Sequence, residues 1–178
     1  PSSNYGTAIL DGFTITGGLA DSGAGVRSAA IETTIANCII RGNTATGAGG
    51  AGVHLLNPGT GTRIVNCLFV ANNAQSAGRG AAVLIDQSAT GVLIANCTVT
   101  GNTAATPNAG AVTITAGAPS IINTIVSFNP SAGIVASPGA APLVSNCNLF
   151  ANTGTDAVGT FVPTAPIVGD PLFTNAGA

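Results

Sequence analysis

Ile94-Ala95-Asn96-Cys97-Thr98-Val99-Thr100-Gly101-Asn102 decides the fold, because the chain writes this nine-residue segment six times with small changes. The other copies are LDGFTITGG from Leu10, IANCIIRGN from Ile35, IVNCLFVAN from Ile64, IINTIVSFN from Ile121 and VSNCNLFAN from Val144. Their third residues are Gly12, Asn37, Asn66, Asn96, Asn123 and Asn146, positions that differ by 25, 29, 30, 27 and 23. Self-similarity at this period marks a solenoid, in which each unit buries its apolar face only by stacking on its neighbours. IVGDPLF from Ile167 places Gly169 another 23 residues on. A minimal turn of ~23 residues follows, with loop insertions supplying the excess. The insertions TATGAGG, AQSAGRG and TAATPNAG all fall after the last Asn of a unit and before the next apolar stretch.

That next stretch also repeats, as GVRSA from Gly25, GVHLL from Gly52, AAVLID from Ala81, AVTIT from Ala111 and GIVAS from Gly133. We call it the leading strand. Each coil is then expected to hold three short strands: the leading strand, one before the Asn bend and one after it. Strands this short gain stability only by pairing with the same strand one coil away, at about 4.8 Å. An all-β solenoid of about 6–7 coils is expected, one domain spanning residues 1–178.

Asparagine tolerates the left-handed conformation of a sharp bend, and stacked Asn side chains can bond one another in a ladder. Two columns are expected to do both. One is Asn37, Asn66, Asn96, Asn123 and Asn146; the other, six residues on, is Asn43, Asn72, Asn102, Asn129 and Asn152, with Gly18 standing in by its backbone freedom. Asn96-Cys97-Thr98 is an N-glycosylation sequon, expected to stay unmodified because its Asn belongs to a buried ladder. Alternation turns Ile35, Ile64, Ile94, Ile121 and Val144 inward before the bend, and Ile40, Phe69, Val99, Val126 and Leu149 inward after it. Cys38, Cys67, Cys97 and Cys147 point inward by the same count. They read as free buried thiols: parallel side-chain vectors suit neither tetrahedral zinc nor a disulfide.

Ladders, stacked aliphatics and the coil length together resemble the right-handed parallel β-helix superfamily of pectate lyases, polygalacturonases and their non-enzymatic relatives, over nearly the whole chain. ILDGFTITGG near the start and GDPLF near the end are similar to bacterial cell-surface β-helix repeat proteins, in which a GDPLF-like stretch closes the last coil. The resemblance implies a right-handed coil and leaves function open.

Composition narrows the function. Four Arg, no Lys and six acidic residues leave 6% charged residues and a net charge of -2, against about 25% charged in an ordinary domain. That excludes a basic footprint for nucleic acid. No apolar run approaches the ~20 residues of a membrane-spanning helix. The segment opens at Pro1 without a signal-like n-region, so any signal peptide is expected to be removed or to lie outside it, and export is argued from other features.

The carboxylates Asp11, Asp21, Glu32, Asp86, Asp156 and Asp170 are scattered over different coils, unlike the clusters that glycoside hydrolysis or calcium-assisted lysis needs. Neither cofactor nor metal is indicated. Arg27 and His54 share an outward column and, with Asp86, form the one candidate ligand group, although Asp86 lies too far along its strand for a triad. Outward apolar residues stand out more: Leu56, Val83, Ile85 and Val135 on the leading strand, and Ile39, Leu68, Val70, Ile125 and Phe150 after the bend. Such stripes mark a contact surface, and no amphipathic helix is present to shield the outermost coils. The expected function is that of a non-catalytic, secreted or cell-surface structural module that self-associates as a homo-oligomer, filament, sheath or adhesive layer. The alternative is a carbohydrate-active or carbohydrate-binding β-helix that takes an extracellular or cell-wall glycan on the leading-strand face.

Overall fold

The computed structural model describes residues 6–75, 79–87, 89–106 and 109–173. These residues contain strands and turns and no helix. Three sheets of six strands run the length of the molecule, every pairing parallel and every neighbour one coil away. The sheet before the bend stacks Thr7–Asp11, Glu32–Ala36, Arg63–Val65, Leu93–Ala95, Ser120–Ile122 and Leu143–Ser145. The sheet after it stacks Thr14–Thr16, Ile39–Arg41, Leu68–Val70, Thr98–Thr100, Ile125–Ser127 and Asn148–Phe150. The leading sheet stacks Val26–Ala29, Val53–Leu56, Val83–Asp86, Gly110–Ile114, Ala132–Ala136 and Ala157–Val158. Six stacked strands make five full turns of a parallel β-solenoid.

A fourth sheet, absent from the three-strand expectation, consists of Leu19–Ser22, Thr44–Gly49, Asn73–Ala74 and Thr103–Ala104. It comes from the insertions. Extra residues between bend and leading strand pair with their counterparts in the next coil, and they enclose a second small core of Ala45, Ala51, Ala74, Ala81, Ala104 and Ala109. Every member of this core is an alanine, so methyl groups alone fill it. After Asn129 the chain passes straight into Ala132–Ala136, and the fourth sheet ends with the insertions.

The main core is the aliphatic lumen. Ile35, Ile64, Ile94, Ile121 and Val144 are at most 1% exposed, as are Ile40, Phe69, Val99 and Val126. The register stacks like on like: Ile35 pairs with Ile64, Ile64 with Ile94, and Ile94 with Ile121. Fully burying one such side chain contributes about 1.5–3 kcal/mol, which outweighs the weak pairing of a three-residue strand.

The last coil differs from its sequence reading. Thr164 bridges Ser145 and Ile167 bridges Asn148, so Ala165, at φ 47°, takes the bend that was assigned to Gly169. The motif at 169–173 therefore leaves the coil. It crosses the outer face of the sheet after the bend, where Asn148 Nδ2 donates to Gly169 O at 2.9 Å and the Phe173 ring lies 6.1 Å from that of Phe128.

Candidate functional site

The two Asn columns have separate tasks. Asn37, Asn66, Asn96, Asn123 and Asn146 all sit at φ between 50° and 55°, and all are exposed. They make the bend. Among the described residues, lateral bonding there is limited to Asn66 donating to Asn37 at 3.3 Å and Asn37 to Asp11 at 2.8 Å. The premise that hid Asn96 of the sequon is therefore corrected: its side chain faces out.

The second column is the buried ladder. Asn43, Asn72, Asn102 and Asn129 are fully buried and Asn152 is 8% exposed. The backbone N–H and Nδ2 of each donate to Oδ1 of the next, at 3.2 and 3.0 Å for Asn43 to Asn72 and at 3.1 and 2.9 Å for Asn72 to Asn102. The second amide proton reaches a strand carbonyl, as from Asn102 to Phe69 O at 3.0 Å. Here the left-handed residue is the one before each Asn: Gly42, Ala71, Gly101, Phe128 and Ala151. Gly18 accordingly serves through size and not through backbone freedom. Its amide donates to Asn43 Oδ1 at 2.9 Å, and a Cβ there would meet Ala24 O at 2.0 Å. The far end is closed by Asp156, whose Oδ1 accepts from Asn152 N at 3.2 Å and Nδ2 at 2.7 Å. Sequence reasoning missed Asp156, since a lone loop carboxylate carries no periodic signal.

Cys38, Cys67, Cys97 and Cys147 are free and 1–3% exposed. They do more than fill space. Each Sγ–H donates to the carbonyl two residues back, at 3.1 Å for Cys38 and 3.2 Å for the other three. Thr124 repeats that bond to Ile122 O at 2.9 Å, which explains why threonine substitutes in the column. Burial pushes the Cys38 and Cys147 thiols up; the Cys97 hydrogen bond and then burial do the same for Cys67. The three are therefore neutral thiols, unsuited to act as nucleophiles. Among the described residues no three His, Cys, Asp or Glu side chains are placed to hold a metal ion.

The leading sheet corrects the predicted interface. Val83 pairs with Val53 and Ile85 with Leu55, and all four are fully buried members of the core. Val83 and Ile85 are thus lumen residues. The outward column is Arg27, His54, Leu84, Thr113 and Val135. Leu56 and Val135 remain outward and half-buried. Even this column is covered at its centre: His54, Leu84 and Thr113 are 4%, 1% and 0% exposed, because the insertion turns fold back over them. A Cβ on Gly50 would lie 2.7 Å from His54 Cβ, and one on Gly80 would lie 2.8 Å from Leu84 Cα.

His54 and Asp86 do meet. Nε2 lies 3.8 Å from Oδ2, an ion-pair distance beyond hydrogen-bond reach. Asp86 pairs with Leu56, two residues beyond His54, and the diagonal is spanned by side-chain length. Burial holds the imidazole below its ordinary range, Asp86 pulls it up, and Arg27 and Arg79 push it down. The result is a neutral ring whose two nitrogens are both buried without a hydrogen-bond partner among the described residues. Asp86 Oδ1 accepts from Thr115 Oγ1 at 2.6 Å and from Gln87 N at 3.1 Å. Arg27 is exposed at the margin.

The outer face after the bend is open at its early coils and crossed by the tail at its late ones, where Ser127 and Asn148 are buried. One column reads Thr14, Ile39, Leu68, Thr98, Ile125 and Asn148, the other Thr16, Arg41, Val70, Thr100, Ser127 and Phe150. Ile39 is 40% exposed, and Leu68, Val70, Ile125 and Phe150 are half-buried. Phe128, a bulky residue at φ 54°, sets its ring edge-on to Phe150 at 5.6 Å and beside Phe173. A side chain of that size in the left-handed region is strained, and the aromatic contacts offset the strain. Between the tail and the sheet runs a groove of ≈ 710 Å³ lined by Arg41, Leu68, Val70, Thr98, Thr100, Leu172 and Phe173.

Among known families, the one described as the right handed beta helix region matches residues 51–162, more than half of the chain. Comparison with curated proteins and with solved structures gave no match.

Proposed function

Since the chain belongs to the right-handed β-helix family, we propose that it is a non-catalytic structural module of a secreted or cell-surface protein, one that self-associates through its outer wall as an oligomer, filament, sheath or adhesive layer. The observation that carries this reading is the open face after the bend. There Ile39, Leu68, Val70, Ile125 and Phe150 line up over adjacent coils, and among the described residues only the tail at 169–173 crosses them, at the late coils. Aligned apolar groups of this extent are what contact surfaces present. The leading face, by contrast, covers its apolar residues within the chain itself. A paucity of charge favours contact by area and hydrogen bonding over ion pairing.

Sedimentation velocity from low to high micromolar concentration tests the proposal. Growth of species heavier than the 17.0 kDa monomer is expected; a compact monomer at every concentration removes it. The 3.8 Å approach of His54 to Asp86 is the one feature that favours the carbohydrate-active reading. Incubation with polygalacturonate decides that reading: unsaturated or reducing products, lost in His54→Ala, would establish it over the structural one.

A further inference from the structure

The face after the bend is uneven along the stack. The tail at 169–173 lies across the half nearer the last coil and stands above it, with Leu172 78% exposed. Among the described residues the other half, around Ile39, Leu68 and Val70, is bare beyond the edge of the groove that Leu172 and Phe173 form. Charge is uneven in the same sense. Arg41, exposed, sits at the bare end, and Asp170, exposed, rides on the tail with Oδ1 accepting the Leu172 amide at 2.8 Å. Thr100 lies two coils from Arg41 by way of Val70, and two coils from Phe150 by way of Ser127. The Gly169 carbonyl is bonded to Asn148, in the strand of Phe150. Arg41 thus lies about 10 Å from Thr100 on one side, at roughly 4.8 Å per coil, and Asp170 lies on the other side, next to the Gly169 that is bonded to Asn148.

We infer that two copies of this chain pair antiparallel through this face, about a two-fold axis passing near Thr98 and Thr100, with Arg41 against the partner's Asp170. The inference rests on the self-association reading and names its geometry. An isologous interface makes every contact twice. Each raised tail then seats on the bare half of the other copy, Leu172 entering the groove beside Leu68 and Val70. Parallel pairing fails on both counts, since it sets tail against tail and Arg41 near Arg41. The tail therefore serves as half of a self-complementary surface.

Sedimentation equilibrium on the full chain and three variants tests the pairing. Arg41→Asp and Asp170→Lys each set like charges together at both symmetry-related contacts, and each is expected to weaken dimerisation about tenfold or more. The double variant exchanges the charges and is expected to return within about threefold of the unaltered chain. Asp170→Asn, which keeps the acceptor for the Leu172 amide, should weaken it less than Asp170→Lys. If the chain associates but the single variants leave its affinity unchanged, or the double variant is as weak as the singles, this pairing is wrong and self-association stands. If the unaltered chain is monomeric throughout, both are wrong.

Discussion

Asn96 and Asn102 stand six residues apart in one repeat and do opposite things with the same side chain. Asn96 is exposed, and its contribution is a backbone at φ 55°. Asn102 is fully buried in ordinary backbone geometry, and its contribution is the amide group, engaged at both oxygen and nitrogen. The first is a conformational residue and the second a bonding residue. Repetition in a sequence therefore identifies a position that matters without saying which property of the residue matters there. The left-handed place before the ladder makes the same point, being filled by Gly42, Ala71, Gly101, Phe128 and Ala151 in turn.

Substitutions can drive the two columns apart in energy. Asn102→Ala deprives the Asn72 backbone and side-chain donors of their acceptor in a fully buried place. Each orphaned group costs about 1–3 kcal/mol, so a loss of ~3 kcal/mol is expected in urea denaturation with the slope unchanged. Asp156→Ala removes the last acceptor, beside the slightly exposed Asn152, and ~2 kcal/mol is expected on the same measure. Asn96→Ala keeps a left-handed backbone that Ala71 and Ala151 already adopt, and ~1 kcal/mol is expected. Asn96→Gly should change the unfolding free energy by no more than about a few tenths of a kcal/mol, since glycine takes this backbone without penalty. A loss for Asn96→Ala equal to that of Asn102→Ala would mean that the outer column bonds after all.

Much of this architecture was legible because the repeat is long and its apolar positions alternate. Ile64, Ile94 and Ile121 could be put in the lumen by counting from the bend. Counting failed at Ala81–Asp86, where Val83, Leu84 and Ile85 are apolar in succession and alternation has nothing to grip. Leu84 can be apolar while pointing out because the turn at Gly80 covers it, and the sequence shows no sign of that cover. A slip of one residue then exchanged the faces. The final bend was misplaced for a related reason: Ala165 carries no Asn, and Gly169 offered a more familiar letter at the expected distance. The close approach of His54 to Asp86 within the candidate group was discounted because it depends on side-chain reach across a diagonal. Register alone, Asp86 beside Leu56, argues against it.

Because every rung of the buried row passes its donors in the same direction, from the Gly18 amide side toward Asp156, the row has a grammar. Any residue within it must both offer N–H and receive it, so a whole unit could be duplicated between Asn72 and Asn102 without disturbing the reading of its neighbours. The Asp156 side chain only receives. A carboxylate in that place is a terminator of the row, while the strands go on to pair beyond it at Val158, Thr164 and Ile167.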